Sequence, residues 1–189
     1  MIRYNFIFLV QLFKALTFTR LWNLIRLRFY FILSTFFNFH KTNLHPSFIS
    51  IEPTNICNLH CPECPTGNGS SIVDKGKISL QTVQKLIPQI SSKTIFVNLY
   101  FQGEPFIHES IIQIISSINK ARMLTSISSN AHFINTHTAH EIVKSGLTKI
   151  IISLDGYNQE TYELYRRNGK FQKVIDSVQA ISNAKKELH

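Results

Sequence analysis

The chain has 189 residues, a length that accommodates one domain with a hydrophobic core and an N-terminal extension but not two ordinary domains. Apolar residues make up 44% of the sequence, and it has no internal repeat or low-complexity segment, which excludes a disordered or repeat protein. The net charge of +9 is concentrated in the first 50 residues, which contain six Lys or Arg and no acid before Glu52, whereas the remainder has 14 basic and 11 acidic residues. A basic segment of this kind suits an anionic membrane surface or a nucleic-acid backbone, although no specific nucleic-acid motif is present.

Residues 5–36 place apolar side chains at helical spacing, with cations between them. We predict two amphipathic helices with a break near Thr17–Thr19. The longest uncharged stretches here, Tyr4–Phe13 and Phe29–His40, are shorter than the roughly 18 apolar residues that a membrane span needs. Two interpretations of these helices stay open: they pack on the following domain, or they lie in a membrane interface with Trp22 at the level of the head groups.

From residue 46 onward short β-rich runs alternate with helical segments, so we divide the chain into a basic helical leader at 1–45 and an α/β core at 46–189. The predicted strands are Phe48–Glu52, Thr94–Phe101, Thr125–Ser129 and Lys149–Leu154. The predicted helices are Leu80–Ile90, Ser110–Ala121, Thr138–Ser145 and Lys173–Lys186, with a shorter turn at Gln159–Arg166. This alternation predicts a parallel sheet with right-handed crossovers, whose chemistry lies at the carboxyl ends of the strands.

Three cysteines, Cys57, Cys61 and Cys64, follow the first predicted strand within eight residues. An odd number of cysteines at this spacing does not form a disulfide framework and indicates a metal or redox site in a reducing cytoplasm. Three close thiolates can bind three irons of a cubane and leave the fourth iron open for a ligand. The alternative is a zinc site completed by His60 or another histidine. Zinc sites usually have Cys-x₂-Cys pairs separated by a longer interval, so the spacing favours the cluster.

The pattern Cys-x₃-Cys-x₂-Cys directly after a first strand resembles the signature of the radical S-adenosylmethionine (radical SAM) superfamily. The next strand runs into Gln102, Gly103, Glu104 and Pro105, which resemble the Gly-Gly-Glu-Pro element of the family. The resemblance implies that exposed backbone acceptors in this element receive the amino group of SAM. Gln102 departs from the family pattern, because it stands in place of the first glycine.

Two later segments carry the same resemblance. The third strand ends in a sequence similar to the Thr-Asn-Gly end of the family, which assigns Asn130 to the cofactor site. After the fourth strand, the resemblance implies that Ser153 contacts the ribose or carboxylate of SAM and that Arg166 contacts its carboxylate, a pairing that suits a planar guanidinium. Another departure is Glu63, at a position that is often aromatic in the family. The resemblance covers about residues 46–182 and is greatest to members with a SPASM-type domain, which modify peptides or proteins.

The resemblance implies a partial parallel (βα) barrel. Barrels of the family have six βα units, whereas this sequence provides four strands, so we expect a barrel truncated after about four units, a chain that is a fragment, and a fourth strand that is an open sheet edge.

The cofactors implied are a [4Fe-4S] cluster and SAM. The resemblance implies that a reduced cluster would pass an electron to SAM, which would release methionine and a 5'-deoxyadenosyl radical that takes a hydrogen atom from the substrate. An electron donor such as a flavodoxin or ferredoxin is implied as a partner, and peptide or protein modification is the expected class of reaction. No residue is assigned as a general acid or base. We expect a cytoplasmic protein, with peripheral membrane contact through residues 1–40 as a further expectation.

Two other functions stay open at this point. A catalytically inactive remnant would keep the cluster ligands without a closed barrel. A zinc-stabilised protein on the membrane periphery would explain the basic leader without a cluster.

Overall fold

The computed structural model describes residues 2–37, 39 and 43–188, with side chains from residue 8 onward. A few residues of the two predicted domains lie outside the described residues: Met1, 38, 40–42 and His189. The helices are α1 Ile2–Ala15, α2 Phe18–Phe37, α3 Pro65–Asn68, α4 Leu80–Ile90, α5 Ile111–Lys120, α6 Thr136–Lys144, α7 Gln159–Tyr165 and α8 Phe171–Leu188, with a 3₁₀ turn at Pro105–Ile107. The strands are β1 Phe48–Ser50, β2 Phe96–Asn98, β3 Leu124–Ser129 and β4 Lys149–Ile152.

The four strands form one parallel sheet in the order β1-β2-β3-β4. Helices join successive strands, so the sequence and the sheet follow the same order. The predicted α/β class and partial parallel barrel are confirmed. Strand β4 pairs with β3, and within the described residues no further strand lies along its other edge.

Strands β1, β2 and β4 are shorter than predicted, because the chain turns into polar loops soon after each of them begins, whereas β3 begins one residue earlier than predicted. Strand-like hydrogen bonds continue just beyond the bounds: Ile51 N donates to Asn98 O, and Leu99 N donates to Ser126 O, each at 2.8 Å. The carboxyl ends of the strands are therefore held in register while their loops diverge.

The core lies between the sheet and helices α4, α5, α6 and α8. Helix α5 contributes Ile111, Ile114, Ile115 and Ile118, which repeat at three- and four-residue spacing and are almost completely buried. The middle of β3 is buried on both faces, as is usual for a parallel strand covered by helices.

The two predicted leader helices are present, and they are joined to the amino end of the sheet by Arg20. This side chain is only 2% exposed. Its guanidinium donates five hydrogen bonds of 2.6–2.9 Å to the carbonyl oxygens of Ala15, Ser91, Ala121 and Arg122. The last three carbonyls follow the ends of α4 and α5 and precede β2 and β3, so this contact lies opposite the carboxyl ends of the strands. In the described chain, no helix is both long and apolar enough to cross a membrane.

Candidate cluster and cofactor site

The three cysteines lie on the loop that joins β1 to α3. Cys57 and Cys64 are half-buried and Cys61 is buried. The loop is irregular up to Cys64, and α3 begins at Pro65, a first helical position where the missing amide proton of proline is not needed. A Cβ atom on Gly67 would lie 2.6 Å from Cys61 N, so glycine allows α3 to pack directly on the cysteine loop.

The electrostatic surroundings of Cys57 favour the protonated thiol. Burial raises the pKa of this thiol, and the Glu104 carboxylate and the other two cysteines act in the same direction, while a hydrogen bond from Leu59 N acts against them. A bound cation removes this penalty, because metal ligation stabilises the thiolate. The loop is therefore suited to thiolates that are formed when iron binds.

The described residues contain no group of three His, Cys, Asp or Glu side chains that could hold one metal ion. In a cubane each thiolate binds a different iron, so the three sulfurs need not meet at a single point. His60, one candidate for the fourth ligand in the alternative zinc site, has its Nδ1 atom 3.3 Å from the backbone oxygen of Gly67. Three thiolates on one loop fit the three cysteine-bound irons of such a cluster.

A cavity of about 310 Å³ opens at the carboxyl ends of the strands. This volume is close to the lower end of the range of about 300–1,000 Å³ for small-molecule sites. Its walls include all three cysteines and all but one of the other predicted site residues: Cys57, Cys61, Cys64, Gln102, Gly103, Glu104, Asn130, Ser153 and Arg166. The remaining one, Pro105, is buried in the 3₁₀ turn and is not part of the wall. Residues up to 109 positions apart in sequence thus surround one space.

The loop after β2 is held in place by Glu52, which sequence reasoning missed. One carboxylate oxygen of Glu52 accepts hydrogen bonds from Gln102 N at 2.7 Å and Gly103 N at 3.2 Å. A Cβ atom on Gly103 would lie 1.9 Å from the backbone oxygen of Thr54, so glycine is required for this close approach. A sequence signal for Glu52 exists, because it is the first acid of the chain and ends the first predicted strand.

The Glu104 side chain is buried and joins the loop after β2 to the end of β3. Its carboxylate accepts hydrogen bonds from Ser129 Oγ at 2.8 Å, Asn130 N at 2.7 Å and Phe106 N at 3.1 Å. Burial raises the pKa of this carboxyl group, and the three hydrogen bonds act against burial. Since both carboxylate oxygens are used within the protein, any contact of Glu104 with SAM would come from its backbone.

Asn130 and Arg166 both approach cysteine sulfurs. Asn130 Nδ2 lies 3.8 Å from Cys57 Sγ, and Arg166 Nη1 lies 3.7 Å from Cys61 Sγ. Arg166 Nε also donates to Asp155 at 2.5 Å, which fixes the guanidinium plane at the mouth of the cavity. Two predicted SAM contacts are thus neighbours of two predicted iron ligands.

Ser153 lies at the end of β4, where its backbone N donates to Ser129 O at 2.9 Å and its side chain borders the cavity. Ala131 stands where the resemblance has glycine and adopts a left-handed backbone with φ of 64°. It is completely buried, and its backbone N donates to Ser129 Oγ at 2.8 Å. Alanine therefore adopts the left-handed conformation at the position where the family motif has glycine.

Tyr162 supports the segment that carries Arg166, and the sequence did not indicate this role. The ring is completely buried, and burial raises its pKa to about 12. Its hydroxyl has no hydrogen-bond partner among the described residues. A Cβ atom on Gly156 would lie 2.4 Å from Tyr162 N, so the loop after β4 packs directly against the start of this segment.

Comparison with known proteins decides the family. Residues 51–188 match the profile of the radical SAM superfamily. The chain belongs to the radical SAM superfamily. Enzymes of this superfamily bind a [4Fe-4S] cluster and SAM. The family predicted from the sequence is confirmed, whereas the SPASM subgroup stays a prediction.

Several curated radical SAM relatives are similar to this chain. GTP 3',8-cyclase of Listeria welshimeri is 27% identical over 138 residues, which make up 70% of this chain and 40% of the relative. Mycofactocin maturase MftC of Mycolicibacterium smegmatis is 25% identical over 139 residues, or 74% of this chain and 35% of the relative. The chain thus spans about two-fifths of the length of these relatives.

Solved radical SAM structures share the fold. Streptococcus suis SuiB bound to S-adenosylmethionine matches with a TM-score of 0.64 and 17% identity, over 75% of this chain and 32% of that one. The anSMEcpe structure with bound AdoMet matches with a TM-score of 0.61 and 17% identity, over 74% of this chain and 42% of that one.

Proposed function

We propose that this chain is the core of a radical SAM enzyme, which binds a [4Fe-4S] cluster and SAM and generates a 5'-deoxyadenosyl radical. One observation carries the proposal: the cysteine loop and the ends of the other three strands surround a single cavity. The cluster, when bound and reduced, supplies the electron that cleaves SAM.

The cysteines have one role each in this proposal. Cys57, Cys61 and Cys64 would hold the cluster as thiolates, one for each of three irons, and the cluster would supply an open iron for SAM. The nearby amide of Asn130 and guanidinium of Arg166 stabilise the negative charge on two of these thiolates. The support is the donor chemistry of the loop together with the family membership.

SAM contacts are assigned to the cavity wall. The backbone around Gly103 receives the amino group, in a loop that Glu52 holds through the amides of Gln102 and Gly103. Arg166 pairs with the carboxylate, for which its planar donors are suited, and Ser153 contacts the carboxylate or ribose.

Two partners complete the proposal. An external reductant such as a flavodoxin or ferredoxin supplies the electron. A peptide or protein is the substrate class, which rests on the likeness of residues 46–182 to SPASM-type members. The three free thiols and the labile cluster suit a reducing cytoplasm.

Arg166 and its neighbour Arg167 provide a matched test of the SAM site. We expect Arg166→Ala to retain iron and acid-labile sulfide after anaerobic reconstitution and to bind SAM at least about tenfold more weakly, since a charge-assisted pair contributes about 1.5–3 kcal/mol. Arg167→Ala, an exposed change next in sequence, should bind SAM as the wild type does. Equal SAM affinity in both variants would refute the role of Arg166 in SAM binding. Zinc in place of iron in the wild type would refute the proposed cluster.

A further inference from the structure

One side of helix α2 is an uncovered apolar stripe. Its members repeat at three- and four-residue spacing, which at 100° per residue confines them to an arc of about 100°. The stripe consists of Phe18, Leu21, Trp22, Ile25, Phe29, Ile32 and Phe36. Their exposed fractions run from 43% to 83%, although large apolar side chains of this kind are usually buried. The size and continuity of the stripe mark it as a docking surface.

The opposite side of α2 is attached to the domain. Arg20 makes the carbonyl contacts at the amino end of the sheet, and Asn23 Nδ2 donates to His45 O at 2.9 Å and Ser47 Oγ at 3.1 Å. The stripe therefore points outward from the amino end of the sheet. The cavity opens at the carboxyl end, so a surface bound to the stripe leaves the cavity accessible.

Cations border the stripe on both sides. By helical geometry Arg26 lies just outside one edge of the arc and Arg28 just outside the other. The Arg28 guanidinium lies over the Phe31 ring, 5.5 Å from its centre, and the residue is exposed. Lys14 at the end of α1 is also exposed, and the sequence has no acid before Glu52 to neutralise these charges.

We propose that α2 docks the protein on an anionic lipid bilayer, with the stripe in the acyl boundary and the flanking arginines among the head groups. An apolar arc with cations at its edges and an aromatic residue such as Trp22 matches the chemistry of that interface. A second copy of the chain is a poorer occupant, because a symmetric contact would bring two positively charged leaders together.

Trp22 is the only tryptophan of the chain and reports directly on the stripe. The full chain is mixed with vesicles of phosphatidylcholine alone or of phosphatidylcholine with phosphatidylglycerol. We expect cosedimentation and a blue shift of Trp22 emission with the anionic vesicles, and release at high salt. Equal binding to both vesicle types, or binding without a Trp22 shift, would overturn the proposal.

Matched variants distinguish binding through the stripe from nonspecific hydrophobic binding. Phe29→Glu should abolish vesicle binding with an unchanged unfolding temperature, while Ile72→Glu, a change at a 99% exposed apolar residue outside the leader, should bind as the wild type does. Arg26→Gln and Arg28→Gln should each weaken binding about fivefold, the equivalent of about 1 kcal/mol per cation at an anionic surface. A wild-type dimer that Phe29→Glu converts to a monomer, with no vesicle binding, would show that a second copy covers the stripe and refute the lipid proposal. No step of this test depends on a cluster or SAM.

Discussion

Replacement of Arg20 by methionine should loosen the leader from the core and destabilise the whole domain. Methionine keeps much of the apolar stem but has no donor for the four carbonyl oxygens that Arg20 satisfies. Ser91 and Ala121 are the C-cap residues that follow α4 and α5, where a cation also complements the helix dipoles. Each of the four carbonyl oxygens would lose its hydrogen-bond donor at a buried position, since the Arg20 side chain is only 2% exposed.

The magnitude follows from the five hydrogen bonds. Each bond to a charged donor contributes about 1.5–3 kcal/mol, and the desolvation of the guanidinium offsets several kcal/mol of that sum. The net loss in the free energy of unfolding should be about 3 kcal/mol, near the lower end of the range for disrupting a buried charged network. For a chain of this size the melting temperature should fall by about 6–12 °C.

Thermal unfolding followed by circular dichroism, in the absence of lipid, measures this loss. Arg26→Met on the same helix is the control, because Arg26 has none of these carbonyl contacts. Arg20→Lys should fall between the two, since an ammonium group cannot span four carbonyls. If Arg20→Met and Arg26→Met unfold at the same temperature, the anchoring role of Arg20 is refuted.

Three further predictions concern the site. Gly103→Ala should lower the free energy of unfolding by about 1–3 kcal/mol and abolish SAM binding, because the new Cβ meets Thr54 O. The control Gly76→Ala, with open space around the new Cβ, should change neither property. SAM binding by Gly103→Ala would contradict the close packing of Gly103 on Thr54. Because burial raises the pKa of Glu104, the folded state binds one more proton than the unfolded state between pH 4.5 and the higher folded pKa, so the free energy of unfolding should fall as pH rises through that window. The free energy of unfolding is measured against pH for the wild type and for Glu104→Gln. If the difference between the two does not fall across the window, the raised pKa of Glu104 is refuted. Tyr162→Phe should unfold at the same or a higher temperature in the cluster-free protein, and a marked loss of stability would reveal a partner for the hydroxyl.

Elements with strong local signals were predicted closely. Helix α4 was predicted at the bounds that the structure has, because its apolar residues repeat at helical spacing and Ser79 caps its first turn by accepting a hydrogen bond from Thr82 N. The strands were predicted in the right order but two or more residues too long in three of four cases, because β propensity does not show where a chain leaves the sheet. The short helix at Pro65–Asn68 was missed, since four residues carry no periodicity.

The site was predictable where motifs carry it and not where distant contacts do. The cysteine spacing and the polar ends of the strands were visible in sequence, and their residues meet at one cavity. The hydrogen bonds of Glu52 to Gln102 and of Arg20 to Ser91 join residues 50 and 71 positions apart. Neither pair follows a local pattern, so only the folded chain reveals them.

The cleavage of SAM tests the central claim most directly. The purified chain is reconstituted anaerobically with iron and sulfide, reduced, and assayed for 5'-deoxyadenosine and methionine, with Cys57→Ala treated in parallel. We predict both products from the wild type and neither from Cys57→Ala. A wild-type chain that holds the cluster and binds SAM yet forms no 5'-deoxyadenosine would contradict the proposed activity.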